Sequence, residues 1–416
     1  MKALLASLAV LLAAACTQTP APGSSAPNER DAVGAGGSMA LFAELDREAG
    51  PAGNVFVSPV SIEQAFGLLH AGTAGSTRQQ LESFFGWPQG ADVGRQLKRQ
   101  RQQLLDHDTD ADLRLANALW LSDAFRFRPA YLDEARQRYA ATARALDFAG
   151  DPSGAATRIN SWAAEQTAGL IDSVITPDAL ADDTAAVLTD ALYFEAEWAL
   201  MFDGAEAAPF LFGDGREENF RLMTQTEPFA VAERDGWRAI RLPYRGDRFA
   251  MDVIMPRERR VMEMAPSAVE LEALGTLLDE SRLRPVNLWL PRFEIDFDSK
   301  LVDPLERLGL TLPFSRNEAD LSAMAEPGQQ RLYVGDATHI TKLQVYEDGT
   351  KAAAVTVLKI VLTGGVAPRE KPLEFKVDRP FVTVIRDLQT AQVLFVGRIA
   401  DPQAFTPQEG EDPYAP

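Results

Sequence analysis

The stretch from Glu347 to Gly365 constrains the fold more than any other part of the chain. An acidic pair and a glycine lead into alanines, and β-branched and aliphatic residues then continue without a tight turn up to Gly364-Gly365. A connection of this length without secondary structure of its own is unusual in a compact domain and is usually functional. Its composition suits a β-strand, so the segment is predicted to be able to form a strand without being one at all times.

Side chains of a β-strand point alternately to its two faces, which allows the two faces of this segment to be compared. One face is small at its start and then apolar, and it consists of Thr350, Ala352, Ala354, Thr356, Leu358, Ile360 and Leu362. Lys351 and Lys359 both fall on the opposite face. The pattern favours a strand that can enter the middle of a sheet without burying a charge, although an ordinary hairpin arm shows the same alternation.

Nine short motifs occur in an order that resembles the serpin family of protease inhibitors. They are residues 54–61 (NVFVSPVS), 72–77 (GTAGST), 115–121 (LANALWL), 159–162 (INSW), 191–194 (ALYF), 290–293 (LPRF), 308–310 (LGL), 378–381 (DRPF) and 394–399 (LFVGRI). In this order the segment that begins at Glu347 matches the hinge and reactive-centre loop of the family. The resemblance spans residues 38–402.

The resemblance implies an α+β serpin fold, with helices around one large central β-sheet and two smaller sheets and with an exposed reactive-centre loop. It also implies inhibition of a serine protease by suicide. The protease cuts the loop and becomes acylated to it, and the cleaved loop then inserts into the central sheet as a strand. The chain would thus be no enzyme, and its partner would be a covalently bound protease. The alternative is a non-inhibitory serpin that acts as a binding or chaperone protein.

The family motifs assign roles to particular residues of this chain. The hinge comprises Glu347, Gly349, Thr350, Ala352, Ala353, Ala354 and Thr356. The shutter beneath the central sheet comprises Ser58, Ser61, Asp190 and His339, and Trp198 lies at the breach, where the loop enters.

The position of the cut follows from counting along the loop from Glu347 as in the family. This count places the reactive bond between Thr363 and Gly364, which suits elastase-like or subtilisin-like proteases. Cleavage after Leu362 is the alternative and would suit a chymotrypsin-like enzyme. Arg369 and Lys371 are the nearest trypsin-like sites and would make the inserting arm unusually long.

Asp190 stands where the family keeps an asparagine in the shutter. An ionised Asp190 beside His339 would raise the pKa of the imidazole, whereas burial would lower it, so the net direction stays open at this point. A raised pKa would make the shutter a latch that loosens in mildly alkaline conditions.

Composition excludes several other classes of protein. The 416 residues carry a net charge of −19, which argues against binding to nucleic acid or to anionic membrane surfaces. The basic cluster Arg95, Lys98, Arg99 and Arg101 is therefore interpreted as a solvated helix face rather than a polyanion site. With three histidines and no Gly-x-Ser-x-Gly or His-Glu-x-x-His motif, no catalytic residue, metal site or cofactor is predicted, and a monomer is expected.

The first residues resemble an export signal. Residues 1–16 form a short apolar leader that ends at Cys16, the single cysteine, and residues 17–37 have the composition of a flexible tether. The predicted organisation continues with a serpin domain at 38–402 and a tail at 403–416. Lipidation of Cys16 would anchor the protein to a bacterial cell envelope. The residue after the cysteine is Thr17 rather than aspartate, which favours export to the outer membrane. Plain secretion is the alternative.

Overall fold

The computed structural model describes residues 35–105, 110–180, 184, 186–328, 331–350 and 371–404, and for Asp190 it describes the backbone. The leader with Cys16 and loop residues 351–370 therefore lie outside the described part. None of the helices in that part is long and apolar enough to cross a membrane.

Eight α-helices occur among these residues. They are α1 (Ala35–Ala49), α2 (Pro59–Ala71), α3 (Gly75–Phe85), α4 (Val93–Leu105), α5 (Pro129–Tyr139), α6 (Pro152–Gln166), α7 (Ala268–Glu280) and α8 (Val302–Arg307). Local signals explain where several of them begin. Ser58 caps α2 and Pro59 occupies its first turn, while Ser267 and Glu270 form a reciprocal capping box at the start of α7.

The strands form two sheets. The first contains seven strands in the order β16 (Gln403–Ala404), β10 (Phe293–Lys300), β11 (Thr338–Val345), β12 (Gly349–Thr350), β4 (Ala186–Glu197), β2 (Asp112–Ser122) and β3 (Thr142–Leu146). The second contains nine, in the order β1 (Val55–Val57), β15 (Val393–Ile399), β14 (Phe381–Asp387), β8 (Phe249–Pro256), β7 (Trp237–Pro243), β6 (Glu217–Arg234), β9 (Arg284–Pro291) and β13 (Leu373–Lys376), with β5 (Gly204–Leu211) beside β6.

The α+β class is confirmed, but the division into sheets differs from the expected one. Instead of two separate smaller sheets, a single nine-stranded sheet accompanies the seven-stranded one. The reason is the 18-residue strand β6, whose first part pairs with β5 and β9 and whose last part pairs with β7. One continuous strand thereby joins what the resemblance implied were two sheets.

The two sheets share an apolar core. Phe194 of β4 and Leu343 of β11, from the first sheet, belong to the same buried cluster as Phe249 of β8 and Phe395 of β15, from the second. A second cluster surrounds α2, which is buried along nearly its whole length. The start of α2 is thus fixed beneath the seven-stranded sheet, and this places the predicted shutter residues.

Candidate functional site

The predicted hinge enters the seven-stranded sheet between β11 and β4. Thr350 pairs with Val345 of β11 on one side and with Ala196 of β4 on the other, and both pairings are antiparallel. Gly349 pairs with Glu197 so closely that a Cβ atom there would lie 2.2 Å from the carbonyl oxygen of Ala196. A glycine is therefore required where the chain passes into the sheet.

The side chain of Thr350 points into the protein. It is 1% exposed, and its Oγ1 lies 2.7 Å from the hydroxyl of Tyr244, in the turn between β7 and β8. This is the direction that the alternation of the segment predicts for its uncharged face. The other members of that face, from Ala352 to Leu362, lie outside the described residues, as do Ala353, Thr363 and Gly364.

Trp198 contacts the start of the hinge, at residues 346–348, through both its backbone and its side chain. Its indole Nε1 donates to the carbonyl oxygen of Tyr346 at 2.9 Å, and its backbone N–H donates to that of Asp348 at 2.8 Å. The indole also stacks on the ring of Tyr244, with centroids 4.5 Å apart. Trp198 and Tyr244 thus form one aromatic wall against which residues 346–350 are held.

Glu347 is anchored by a buried ion pair. Its carboxylate is fully buried and accepts from Arg292 Nη2 at 2.6 Å and from Arg292 Nε at 3.1 Å. Arg292 follows the last residue of β9 and is itself 3% exposed, while Arg221 Nε lies 4.0 Å from the same carboxylate oxygen. A carboxylate in such a place is stable only while its counter-charge is present.

Three of the predicted shutter residues meet at the start of α2. The backbone N–H of Ser58 donates to His339 Nε2 at 3.0 Å, and Ser58 Oγ accepts from the backbone N–H of Ser61 at 3.2 Å. The neighbouring Thr341 of β11 donates to the carbonyl oxygen of Phe56 at 2.5 Å. These bonds tie β11 to the chain that leads into α2. The backbone of Asp190 lies on β4 opposite Asn117.

Burial decides the protonation of His339. It removes water from the imidazole and lowers its pKa from 6.5 to about 4. Because Nε2 accepts a hydrogen bond from Ser58, the ring is neutral and carries its proton on Nδ1. Burial thus shifts this pKa in the direction opposite to the one that an alkaline latch would need, while the side chain of Asp190 lies outside the described part of the chain.

A mostly apolar cavity lies next to the shutter. Its volume is about 90 Å³. Its lining combines residues of α2 (Ser61, Ile62, Ala65, Phe66 and Leu69), of β4 (Ala186 and Leu188) and of the chain before and in β11 (Leu301, Leu321, Met324, Leu332, Tyr333, Val334, Asp336, Ala337, Thr338 and His339). The cavity therefore extends under the sheet from the shutter to the first residues of β4 and β11.

Sequence reasoning missed two residues of this site, Arg292 and Tyr244. Arg292 belongs to the LPRF motif, and an arginine in an apolar run is a signal that a buried acid faces it. Tyr244 carries no such signal, because its partner Thr350 is 106 positions away.

Comparison with known proteins places this geometry in a family. The sequence model of the family described as "Serpin (serine protease inhibitor)" matches residues 37–402. A serpin-like protein of Thermococcus kodakarensis is 31% identical over 376 residues, which cover 87% of this chain and 83% of that protein. Leukocyte elastase inhibitor A of Mus musculus is 30% identical over 381 residues, or 88% and 97% of the two chains.

Solved structures agree with this assignment. Native protease nexin-1 with heparin superposes with a TM-score of 0.77 at 26% identity, covering 89% of this chain and 98% of that chain. Human thyroxine-binding globulin with thyroxine gives a TM-score of 0.78 at 24% identity and shows the shared fold. The chain therefore belongs to the serpin family. The relatives of this chain in that family include protease inhibitors.

Substitution of Arg292 by methionine is expected to destabilise the protein by about 3–5 kcal/mol, because it removes the hydrogen-bonded partner of the buried Glu347 carboxylate and leaves only the more exposed Arg221, 4.0 Å away. Denaturant unfolding at pH 7 measures the loss. The double variant Arg292→Met/Glu347→Gln buries no lone charge and should recover most of it. If the double variant is as unstable as the single one, the ion pair is not what holds Glu347.

The lowered pKa of His339 predicts a stability that falls in acid. Its folded-state pKa of about 4 lies below the unfolded value of 6.5, so the unfolded chain takes up the proton first. Stability is full above pH 6.5 and decreases towards pH 4, where this group accounts for a loss of about 3 kcal/mol. In His339→Gln the amide oxygen still accepts from Ser58 but does not titrate. The difference in the free energy of unfolding between the wild type and His339→Gln should therefore narrow as the pH falls. Profiles that stay parallel would contradict the lowered pKa of His339.

Proposed function

We propose that this protein inhibits serine proteases by a suicide mechanism in which the cleaved loop inserts between β11 and β4. The observation that carries the proposal is the hinge, since Gly349–Thr350 pairs with both strands. Membership of the serpin family supports it. On this proposal the protein is a monomeric, substrate-like trap rather than an enzyme, and its partner is the covalently acylated protease.

The register of β12 indicates where the rest of the loop would go. Each further loop residue would meet the residue one position earlier in β4 and in β11. Thr356 would then lie between Asp190 and His339, Leu358 beside Leu188, and Ile360 beside Ala186. Leu188 and Ala186 line the cavity, so the uncharged face of the loop would fill it.

This arrangement makes insertion favourable and hard to reverse. Each backbone hydrogen bond gained contributes about 1 kcal/mol net. Burial of Leu358 and Ile360 adds about 1.5–3 kcal/mol for each side chain. The form with the uncut loop outside the sheet would therefore be kinetically trapped.

The residues around the cut suggest the class of target. Thr363 with Leu362 before it suits elastase-, chymotrypsin- or subtilisin-like pockets, and leukocyte elastase inhibitors of mouse and horse are among the relatives. The non-inhibitory alternative draws on thyroxine-binding globulin, which shares the fold. The absence of a charge from the Thr350 face of the loop sequence favours inhibition, because a charge there would resist insertion.

The test is incubation with a panel of serine proteases, followed by electrophoresis in boiling detergent and mass spectrometry of the released peptide. We expect a detergent-resistant complex and a new N-terminus at Gly364.

Thr350→Arg should be cut and released, since it places a charge inside the sheet, whereas Ala353→Arg, on the opposite face, should still form complexes. Equal complex formation by Thr350→Arg would refute insertion. Cleavage of the wild type without any complex would favour the non-inhibitory alternative, and a new N-terminus at Glu370 or Pro372 would indicate a trypsin-like target.

We further propose that Cys16 is lipidated and that the residues between it and α1 tether the inhibitor to a bacterial outer membrane; helix α1 begins at Ala35, so the tether ends before residue 37, where the sequence had placed its end. The supporting observation is that the single cysteine falls at the end of the apolar leader. Cys16→Ala should lose membrane association when cell fractions are probed for the protein. Wild-type protein found free in the medium, with an N-terminus beyond Cys16, would instead establish secretion.

A further inference from the structure

The hairpin between β7 and β8, residues 243–249, is fastened to the same end of β4 that receives the hinge. The backbone N–H of Ala199 donates to Pro243 at 3.0 Å, and that of Arg245 donates to Glu197 at 2.8 Å. Glu197 is also the partner of Gly349 across the sheet. The hairpin and the hinge are thus bound to adjacent positions of one strand, and Tyr244 adds its contact with Thr350.

The other end of this hairpin holds the last turn of α4. Arg248 is 3% exposed, and its Nη2 donates to the carbonyl oxygens of Gln103 at 2.7 Å and Leu104 at 3.2 Å. The last carbonyl groups of a helix have no partner within the helix, and a cation there also matches the helix dipole. Arg248 therefore closes the end of α4 with a charged donor from a distant part of the chain.

Asp387 balances the charge of Arg248. Its carboxylate is fully buried and accepts from Arg248 Nη2 at 2.8 Å and from Nε at 3.3 Å. Asp387 is in turn held by the backbone N–H of Gln389, which donates to Oδ1 at 2.9 Å. The backbone N–H of Leu388 donates to the carbonyl oxygen of Arg248 at 2.8 Å. Arg248 is consequently fixed on both its backbone and its side chain.

Packed aromatic rings connect the two ends of the hairpin. The guanidinium of Arg248 lies 4.9 Å from the ring centroid of Phe249, and that ring lies 5.4 Å from the ring of Phe194. Phe194, on β4, lies 5.1 Å from the ring of Tyr244. Because close-packed groups of this kind transmit displacements, the hairpin should move as one body.

We propose that Arg248 is a positioning residue for the hinge. By clamping the last turn of α4 to the 243–249 hairpin, it determines how firmly Tyr244 holds Thr350 in the sheet. The consequence for inhibition rests on the proposed function: a loosened hinge inserts more slowly after cleavage, and more of the protein is consumed as substrate.

Hydrogen exchange of the free protein tests the clamp without any protease. The variant Arg248→Met/Asp387→Asn removes both charges together and so leaves no lone buried charge. We expect exchange of the peptide covering residues 346–350 to accelerate about tenfold. Arg248→Lys keeps the charge but cannot reach both carbonyl oxygens and the carboxylate at once, and it should show a smaller effect in the same direction.

Tyr244→Phe provides the matched control, because it removes only the hydroxyl that contacts Thr350. If Arg248 acts on the hinge through the hairpin, the triple variant with Tyr244→Phe added to Arg248→Met/Asp387→Asn should exchange no faster at residues 346–350 than the faster of its two parent variants. Independent effects would add instead. Additive acceleration, or acceleration confined to the last turn of α4, would overturn the proposal and leave Arg248 as a helix cap.

Inhibition assays then separate this proposal from the proposed function. If the wild type forms covalent complexes, the Arg248→Met/Asp387→Asn variant should need about twice as much inhibitor for each complex. An unchanged requirement would overturn the link to inhibition. If exchange changes as expected while the wild type forms no complex with any protease, the clamp stands and the proposed inhibitory function fails.

Discussion

The pairing of Gly349–Thr350 between β11 and β4 is the interaction on which the rest of the site depends. β11 and β4 each have a permanent partner on their far side, β10 and β2 respectively, and β12 pairs with the near side of both. Backbone donors and acceptors within a sheet need partners, so a segment that enters between two strands is strongly held. Glu347, Trp198 and Tyr244 all act at this place, because each fixes either the turn at residues 346–348 or Thr350, the first side chain inside the sheet.

Among the described residues, the buried charges near the hinge form closely matched pairs. Glu347 with Arg292 and Asp387 with Arg248 are buried and hydrogen-bonded, whereas His339 meets the same low polarity by staying neutral. The same physical rule applies to the loop, because a face that enters this interior must carry no charge of its own. The uncharged side chains on the Thr350 face therefore suit the interior of low polarity that would receive them.

The packing against the seven-stranded sheet differs between the end where the hinge enters and the region beside His339. Where the hinge enters, Tyr244 packs against the rings of Phe194 and Trp198, and its hydroxyl contacts Thr350. Beside His339, a cavity borders β4, and its apolar lining lacks the dispersion contacts that a filled core would supply. Under the proposed mechanism the loop gains those contacts on insertion, so the cavity supplies part of the driving force, while the packed end where the hinge enters holds the segment that enters first.

The sequence by itself determined the alternation of residues 347–362, the direction of Thr350 and the order of motifs that identifies the family, because side-chain period and motif order are local properties of a chain. It also located Ser58, Ser61 and His339 correctly as neighbours, through the family motifs. Only the tertiary structure decided that Tyr244 receives Thr350, that Arg292 neutralises Glu347, and that burial lowers the pKa of His339. It also joined two expected sheets through β6. These features depend on which distant segments pack together and on how much water they exclude, and neither quantity is set by the residues nearby in the chain.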